Sequence, residues 1–282
     1  MGAGIDLPPL NLPDLLRRHG ITPHKGLGQN FLSDDQLLRR IVESAEITSA
    51  ESVLEIGAGL GSLTRWLVQV AAQVVAVEVD INLIPILTQV LADWKQVRVV
   101  SGDILQLDPA ALMGKDGYVV VANIPYYITS ALFRHLLEAR LKPSRMVLTV
   151  QREVAQRICA RAGELNLLAL SVQVYGQPRS LFCIPAGAFY PPPKVDSEVL
   201  RVDLYPQPLI PADHLDDFFH LIKAGFGQKR KMLHNALFAG LGCPKERLAE
   251  LLDRVGIDPQ RRAQTLTLDE WRLLTEAYRS LN

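Results

Sequence analysis

Short apolar segments recur along the first half of the chain, and each ends at a glycine or beside a polar side chain. They are Ser52–Ile56, Val74–Val79, Val97–Ser101 and Tyr118–Ala122. Between the first two, Ser62–Val70 places its apolar residues at helical spacing. Strands that alternate with helices form a parallel sheet that is covered on both faces. The pattern therefore predicts an α/β fold with a mostly parallel sheet.

Three further segments read as strands. Met146–Gln151 is predicted to be a fifth strand of the sheet. Ala169–Tyr175 and Val199–Leu204 are predicted to pair as an antiparallel hairpin at the sheet edge.

The pattern of alternating strands and helices ends near residue 205. The segment Pro206–Pro211 contains several prolines and is predicted to be a linker. A capping box at Thr267–Glu270 marks the start of one helix in the segment that follows. Four stretches have helical spacing: Leu215–Gly225, Lys229–Ala239, Lys245–Val255 and Leu268–Leu281. We therefore predict an N-terminal extension (1–22), an α/β domain (23–205) and a small all-helical C-terminal domain (206–282).

Four glycine or polar residues follow the successive strands of the predicted sheet: Gly57, Glu78, Asp103 and Asn123. Because ligands bind at the carboxyl ends of strands in open α/β sheets, these residues are expected to share one site.

A glycine turn opens this site and indicates its cofactor. The sequence Glu-Ile-Gly-Ala-Gly-Leu-Gly ends at Gly61, and Ser62 stands where a dinucleotide fingerprint would place a third glycine. The spacing fits S-adenosylmethionine, which has no pyrophosphate to bind, so Gly57 and Gly59 are candidate cofactor contacts. Glu78 can accept both ribose hydroxyls, and Asp103 can accept a hydrogen bond from the adenine amino group.

The segment Asn123-Ile124-Pro125-Tyr126 suits a planar amino group beside that cofactor. The lone pair of an adenine amino nitrogen is delocalised into the ring, so two hydrogen-bond acceptors favour the pyramidal, nucleophilic form. The Asn123 side-chain oxygen can be one acceptor, and the Ile124 carbonyl, fixed by Pro125, can be the other. Tyr126 can stack on a base that has left its helix. The two motifs together predict methyl transfer from S-adenosylmethionine to the exocyclic nitrogen of a base.

With these motifs in order, the chain resembles the ribosomal RNA adenine N6,N6-dimethyltransferases, most closely the bacterial small-subunit branch linked to kasugamycin sensitivity. The resemblance runs from about His24 to Arg279. Besides the glycine turn and the Asn-x-Pro-Tyr segment, it rests on three stretches and one dipeptide: His24–Leu32, Gly102-Asp103, Phe189–Ser197 and Phe226–Lys231. It implies a Rossmann-like, S-adenosylmethionine-dependent methyltransferase domain.

The resemblance also implies roles for individual residues. Gln29, Asn30 and Leu32 would lie at the cofactor site together with Asn123, and the first two would close over its amino-acid end. Phe189 would flank the target base opposite Tyr126, so that the implied catalytic set is Asn123, Pro125, Tyr126 and Phe189. The residues implied to contact RNA phosphates are Lys25, Lys194, Lys229, Arg230 and Lys231.

The implied substrate is a pair of adjacent adenosines in a hairpin loop near the 3′ end of small-subunit (16S) ribosomal RNA. Two methyl groups on each give N6,N6-dimethyladenosine. The partner would be ribosomal RNA within an assembling 30S particle, with a further role in subunit biogenesis. We expect a monomer that uses no metal.

Three alternatives remain open from the residues and the resemblance. The chain could be an RNA-binding assembly or transcription factor that keeps the fold, although an intact Glu78, Asp103 and Asn123 argue against this as its sole function. It could be a macrolide-resistance methyltransferase of the large subunit, which the long helical C-terminal segment disfavours. A DNA adenine methyltransferase is disfavoured because no second module for reading duplex sequence is apparent.

Composition excludes some classes of protein. The formal net charge of zero argues weakly against nucleic-acid binding but permits local basic patches. No apolar run reaches the roughly 20 residues of a membrane helix. The segment Met1–Leu10 lacks the features of a secretory signal, so we expect a cytoplasmic protein. Cys159, Cys183 and Cys243 are too far apart for a metal site.

Overall fold

A computed structural model of the chain describes residues 7–228 and 230–280. The described residues form nine strands: β1 (Phe31–Leu32), β2 (Ser52–Ile56), β3 (Gln73–Glu78), β4 (Val97–Ser101), β5 (Val119–Asn123), β6 (Arg145–Gln151), β7 (Gly176–Ile184), β8 (Phe189–Tyr190) and β9 (Ser197–Leu204).

They also form twelve α-helices: α1 (Leu12–Arg18), α2 (Asp35–Ser44), α3 (Thr64–Leu67), α4 (Ile84–Val90), α5 (Pro109–Met113), α6 (Thr129–Leu137), α7 (Arg152–Ile158), α8 (Leu167–Gln173), α9 (Leu215–Gly227), α10 (Leu233–Leu241), α11 (Lys245–Arg254) and α12 (Leu268–Arg279).

Seven strands make one sheet in the order β4–β3–β2–β5–β6–β9–β7. The five strands from β4 to β6 run parallel, and β9 runs antiparallel to β6. Every residue of β2 is buried, because helices cover both faces of a parallel sheet. The predicted α/β fold with a mostly parallel sheet is confirmed.

One predicted strand is wrong. Residues Ala169–Tyr175 were expected at the sheet edge, but most of them lie in helix α8, and β7 takes the edge position instead. The side chain of Asn166 accepts a hydrogen bond from the Ala169 backbone N–H at 3.1 Å and so caps the helix. Periodicity cannot separate a buried helix from a strand in so short an apolar run. The other candidate, Val199–Leu204, lies in β9 as expected.

The described chain divides into two compact units. One comprises residues up to 155 together with 179–204, and the other comprises 156–178 together with residues from 205 onward. Helices α9 to α12 belong to the second unit, and each predicted C-terminal helix has its counterpart there with shifted ends. The predicted start of one of them, Lys229, lies outside the described residues. The predicted domain bounds stay a prediction, because compactness does not test which segments fold independently.

A small antiparallel pair positions the candidate site in the first unit. Strand β1 pairs with β8, with Phe31 opposite Tyr190 and Leu32 opposite Phe189. Just beyond it, the Ser33 backbone N–H donates to the Ala188 carbonyl at 3.1 Å. The pairing brings two distant motifs of the sequence, the segments around residues 30 and 190, to the same edge of the structure.

Helices α9 and α10 approach closely at a glycine in the second unit. A methyl group added at Gly240 would lie 2.5 Å from the Ala224 Cβ and 2.6 Å from the Ala224 Cα. We expect Gly240→Ala to lower the free energy of unfolding by about 1–3 kcal/mol, because overpacking outweighs the gain in helix propensity. Chemical denaturation of the full chain measures this. Gly227→Ala, at a helical glycine with open space around it, is the matched control and is expected to cost nothing. Equal stability of both variants would contradict the close approach.

Candidate active site

A cavity opens at the carboxyl ends of the parallel strands. It is lined by residues from four segments of the first unit and by Phe189: Leu27, Gly28, Gln29, Asn30, Phe31, Gly57, Gly59, Glu78, Val79, Leu83, Asn123, Ile124, Pro125, Tyr126 and Phe189. Most of the residues expected from the sequence to bind cofactor or base therefore lie around one space.

The glycine turn forms one wall of this cavity. Gly57 and Gly59 have φ values of 75° and 58°, in the left-handed region that favours glycine. The Gly57 N–H donates to the Val77 carbonyl at 2.9 Å, which ties the turn to the end of β3. A methyl group at Gly59 would lie 3.0 Å from two carbons of the Phe31 ring. Only glycine at this position leaves the space between turn and ring open.

Glu78 holds the turn from the end of β3. Its Oε2 accepts a hydrogen bond from the Gly59 N–H at 2.7 Å, and its Oε1 accepts one from the Asp80 N–H at 2.9 Å. The side chain is only 5% exposed, and burial raises its pKa above the usual value. Each carboxylate oxygen can accept a second hydrogen bond, so Glu78 can hold the turn and still receive ligand hydroxyls.

Gln29 connects the N-terminal loop to the same corner. Its Oε1 accepts a hydrogen bond from the His24 backbone N–H at 2.6 Å, and its Nε2 donates to the Asp80 Oδ2 at 2.7 Å. Asp80 and the backbone of His24 had no predicted role. The available signal was the i, i+2 spacing of Glu78 and Asp80 at the end of β3, which places both carboxylates on the same side of an extended chain.

Asn123 is oriented by the backbone of the N-terminal loop. Its Nδ2 donates to the Asn30 carbonyl oxygen at 3.0 Å. Because a carbonyl oxygen can only accept, the amide nitrogen must face it, and the side-chain oxygen lies on the other branch of the amide. Asn123 therefore keeps an acceptor for a ligand in the cavity that it lines.

Two aromatic rings complete the site. The Tyr126 hydroxyl forms a 2.7 Å hydrogen bond with the Ser197 Oγ, and burial raises the pKa of Tyr126, so the hydroxyl is neutral at ordinary pH. Phe189 is buried and is held by the pairing of β8 with Leu32 of β1. Sequence reasoning did not find the role of Ser197, because the two hydroxyls are far apart in the chain.

Two expected cofactor contacts do not line the cavity. Leu32 is buried in the apolar core together with Phe189 and Val121. Asp103 is exposed at the end of β4, where its Oδ1 accepts a hydrogen bond from the Leu105 N–H at 3.0 Å. Their roles at the cofactor remain predictions.

The expected RNA contacts lie on the surface. Lys25 and Lys194 are exposed in the first unit, and Arg230 and Lys231 are exposed in the second. Lys229 lies outside the described residues. Among the ion pairs between described residues, none involves these four cations.

Two features are absent from the described residues, a metal-binding cluster and a membrane-spanning helix. Within 7–228 and 230–280, no three His, Cys, Asp or Glu side chains come together as a metal site would require. In the same residues, no helix combines the length and apolar character needed to cross a membrane.

Glu55 is a buried carboxyl beneath the glycine turn. It is 1% exposed in the centre of the sheet, between Ala76 of β3 and Val121 of β5. Burial, with a smaller contribution from the charge of Glu78, raises the pKa of Glu55 from 4.5 to about 8. Between these two values the folded chain keeps a proton that the unfolded chain releases, so this group lowers stability as pH rises.

Replacing Glu55 with glutamine tests this effect. As pH rises from 4.5 to about 8, we expect the free energy of unfolding of wild type to fall by about 1.4 kcal/mol per pH unit relative to that of Glu55→Gln. Denaturation of both proteins at pH 5 and at pH 8 measures the change. Any pH-independent effect of the glutamine amide on stability cancels, because only the change between the two pH values is compared. Parallel stability curves would show that Glu55 ionises with an ordinary pKa.

Comparisons with known proteins match the chain to one family. A family model described as Ribosomal RNA adenine dimethylase matches residues 21–279. The "Ribosomal RNA small subunit methyltransferase A" of Dehalococcoides mccartyi is 44% identical over 266 residues, which cover 94% of this chain and 91% of the relative.

Solved structures give the same picture. A dimethyladenosine transferase from Plasmodium falciparum has a TM-score of 0.79 at 25% identity, covering 89% of this chain and 98% of that one. The 23S rRNA methyltransferase ErmE has a TM-score of 0.72 at 28% identity, covering 88% of this chain and 99% of that one.

Proposed function

Because the chain belongs to the ribosomal RNA adenine dimethylase family, we propose that it methylates N6 of two adjacent adenosines in small-subunit ribosomal RNA. The methyl donor is S-adenosylmethionine, and the product is N6,N6-dimethyladenosine. The observation that carries the proposal is the orientation of Asn123, whose amide nitrogen is bound by the Asn30 carbonyl while its oxygen remains available in the cavity.

The residues that line the cavity are suited to S-adenosylmethionine. The left-handed turn at Gly57 and Gly59 leaves backbone space that a side chain would fill, and Glu78 supplies a carboxylate at the end of the next strand. When bound, this cofactor supplies an electrophilic methyl group on a sulfonium centre. Gln29 and Asn30, which line the same cavity, are proposed to hold its amino-acid end.

Two oxygen atoms are proposed to prepare the target nitrogen. The Asn123 Oδ1 accepts one N–H of the adenine amino group, and the Ile124 carbonyl accepts the other. Both residues line the cavity, and Pro125 sets the backbone after Ile124. Hydrogen bonds in these two directions favour the pyramidal nitrogen, whose lone pair is then free to attack. The proton that leaves with each transfer passes to water, because neither oxygen is basic enough to keep it.

Tyr126 and Phe189 are proposed to hold the base between their rings. Both line the cavity, and both rings are fixed, Tyr126 through Ser197 and Phe189 through the strand pair. Stacking on an aromatic ring contributes about 1–3 kcal/mol per base and offsets the energy of removing the base from its stack.

The proposed partner is small-subunit ribosomal RNA in an assembling 30S particle. The enzyme is proposed to act as a monomer, in the cytoplasm, where bacterial subunits assemble. The exposed cations Lys25, Lys194, Arg230 and Lys231 are proposed phosphate contacts, and Lys229 is a further candidate. A role in subunit biogenesis would follow from binding an incomplete particle. The small-subunit assignment is supported by the name of the D. mccartyi relative, at 44% identity, against 28% for the 23S enzyme.

The test offers labelled S-adenosylmethionine and purified protein to unmethylated small subunits, large subunits and naked RNA, followed by nucleoside analysis. Dimethyladenosine from small subunits alone is the expected result. Label on large subunits would reassign the enzyme to the macrolide-resistance class. Cofactor binding without label on any substrate would support a binding role without catalysis.

A further inference from the structure

Tyr126, the last residue of the Asn-x-Pro-Tyr segment, and Tyr127, the residue after it, have different surroundings. Tyr126 lines the cavity and is held there by its hydrogen bond to Ser197. The side chain of Tyr127, the next residue, does not line the cavity, and the residue is 63% exposed. The proposed reaction uses the first ring and leaves the second without a role.

Tyr127 lies at the rim of the cavity. A methyl group built on Gly28 would lie 3.2 Å from the Pro125 Cβ and 3.7 Å from the Tyr127 Cδ1. Since Gly28 and Pro125 both line the cavity, the Tyr127 ring lies close to the cavity wall, and its exposure places it on the solvent side of that wall. Val79, which lines the cavity as well, is 41% exposed, so apolar surface of the cavity lining reaches solvent.

We propose that Tyr127 is a stacking platform for the nucleotide next to the adenosine in the cavity. This inference rests on the proposed function, in which two adjacent adenosines are methylated in turn. While one base occupies the cavity against Tyr126, its neighbour on the strand is left just outside. The adjacent ring is then available to the adjacent base, and a flat aromatic face can stack on any base.

Stacking on Tyr127 explains a preference for a target adenosine that has a second adenosine beside it. A neighbouring base that stacks on Tyr127 fixes the strand on one side of the target, which restricts the positions that the target base can adopt in the cavity. Purines offer a larger face for stacking than pyrimidines. An adjacent adenosine is therefore a better neighbour than an adjacent uridine, and Tyr127 contributes to specificity without touching the reacting nitrogen.

Two substitutions test the platform in the full-length enzyme acting on small subunits. We expect Tyr127→Ala to lower kcat/KM for adenosine methylation by roughly 5- to 150-fold. Tyr127→Phe keeps the ring and is expected to retain wild-type activity. The affinity for S-adenosylmethionine and the melting temperature should not change, because the ring is exposed. Leu273→Ala, at an apolar residue of α12 that is 41% exposed, is the matched control and should have wild-type activity.

A change in the substrate separates stacking from other roles. Small subunits are prepared with uridine in place of either the first or the second target adenosine. Because the platform lies on one side of the target, wild type should methylate the remaining adenosine more slowly than in normal subunits in one of these two substrates. Tyr127→Ala should respond much less to this replacement, because the ring that reads the neighbour is gone. An equal response of both enzymes would overturn the inference and would point to a contact of Tyr127 with another part of the particle.

The failure of this inference differs from the failure of the proposed function. If the wild-type enzyme methylates small subunits and Tyr127→Ala does so equally well, the stacking role of Tyr127 alone is overturned. No dimethyladenosine from wild type on any small-subunit substrate would overturn the proposed function and the platform with it.

Discussion

Asn123→Ala is expected to lower kcat for methyl transfer by about 10²–10³-fold, the usual cost of losing one preorganised hydrogen-bonding group at a reacting centre. The lost group is the Asn123 Oδ1, which is held in place by the bond from Nδ2 to the Asn30 carbonyl. The dissociation constant of S-adenosylmethionine should be nearly unchanged, because the glycine turn and Glu78 do not depend on this side chain. Single-turnover methylation of small subunits and calorimetric titration of the cofactor measure the two quantities.

The control for this variant is Asn235→Ala, which removes an exposed asparagine from α10. It should leave both quantities at their wild-type values. Asn30 and Asn123 are both partly exposed, so water can replace the lost donor at the Asn30 carbonyl and the loop should keep its position. If Asn123→Ala transferred methyl groups at the wild-type rate, the acceptor role of Asn123 would be refuted.

Glu78→Gln is expected to weaken S-adenosylmethionine binding by roughly 10- to 150-fold, the range for hydrogen bonds to a charged group. The carboxylate receives two backbone N–H groups, from Gly59 and Asp80. A glutamine has only one acceptor oxygen, so its NH₂ group must face one of these donors. The substitution therefore disturbs the glycine turn in addition to removing the proposed acceptor for the ribose hydroxyls. Calorimetric titration measures the affinity.

Two further variants make this result interpretable. Glu138→Gln removes a carboxylate from an exposed i,i+4 ion pair with Arg134 and should bind the cofactor normally. Asp103→Asn tests the prediction that the end of β4 receives the cofactor adenine.

The melting temperature of wild type should rise with cofactor concentration, and that of Glu78→Gln should rise less. Cofactor affinity that is equal in wild type and Glu78→Gln would exclude Glu78 from the cofactor site.

Much of the fold and part of the site could be predicted because the signals are local. The parallel strands are mostly apolar, as is typical of strands that are covered on both faces. The glycine turn and the Asn-x-Pro-Tyr segment are each contained in a few consecutive residues. Their convergence followed from one general rule, since the carboxyl ends of parallel strands meet at one edge. The exception among the strands was Ala169–Tyr175, where a helix cap at Asn166 outweighed the strand pattern.

The remaining features depend on contacts between distant residues, which local patterns do not contain. The link from Gln29 to Asp80 and the pairing of Phe31 with Tyr190 are of this kind. The orientation of Asn123 is set by a backbone carbonyl in a loop about ninety residues earlier. Leu32, expected at the cofactor, lies in the core.

The sequence alone thus determined the α/β class, the edge of the sheet at which the site lies and the chemistry of its main groups. These depend on residue type and spacing along the chain. Only the tertiary structure decided which atom of Asn123 remains free, which carboxylate holds the glycine turn and which of two adjacent tyrosines faces solvent. Those outcomes depend on which surfaces meet when the chain folds, and hydrogen bonds between distant segments then select one orientation for each side chain.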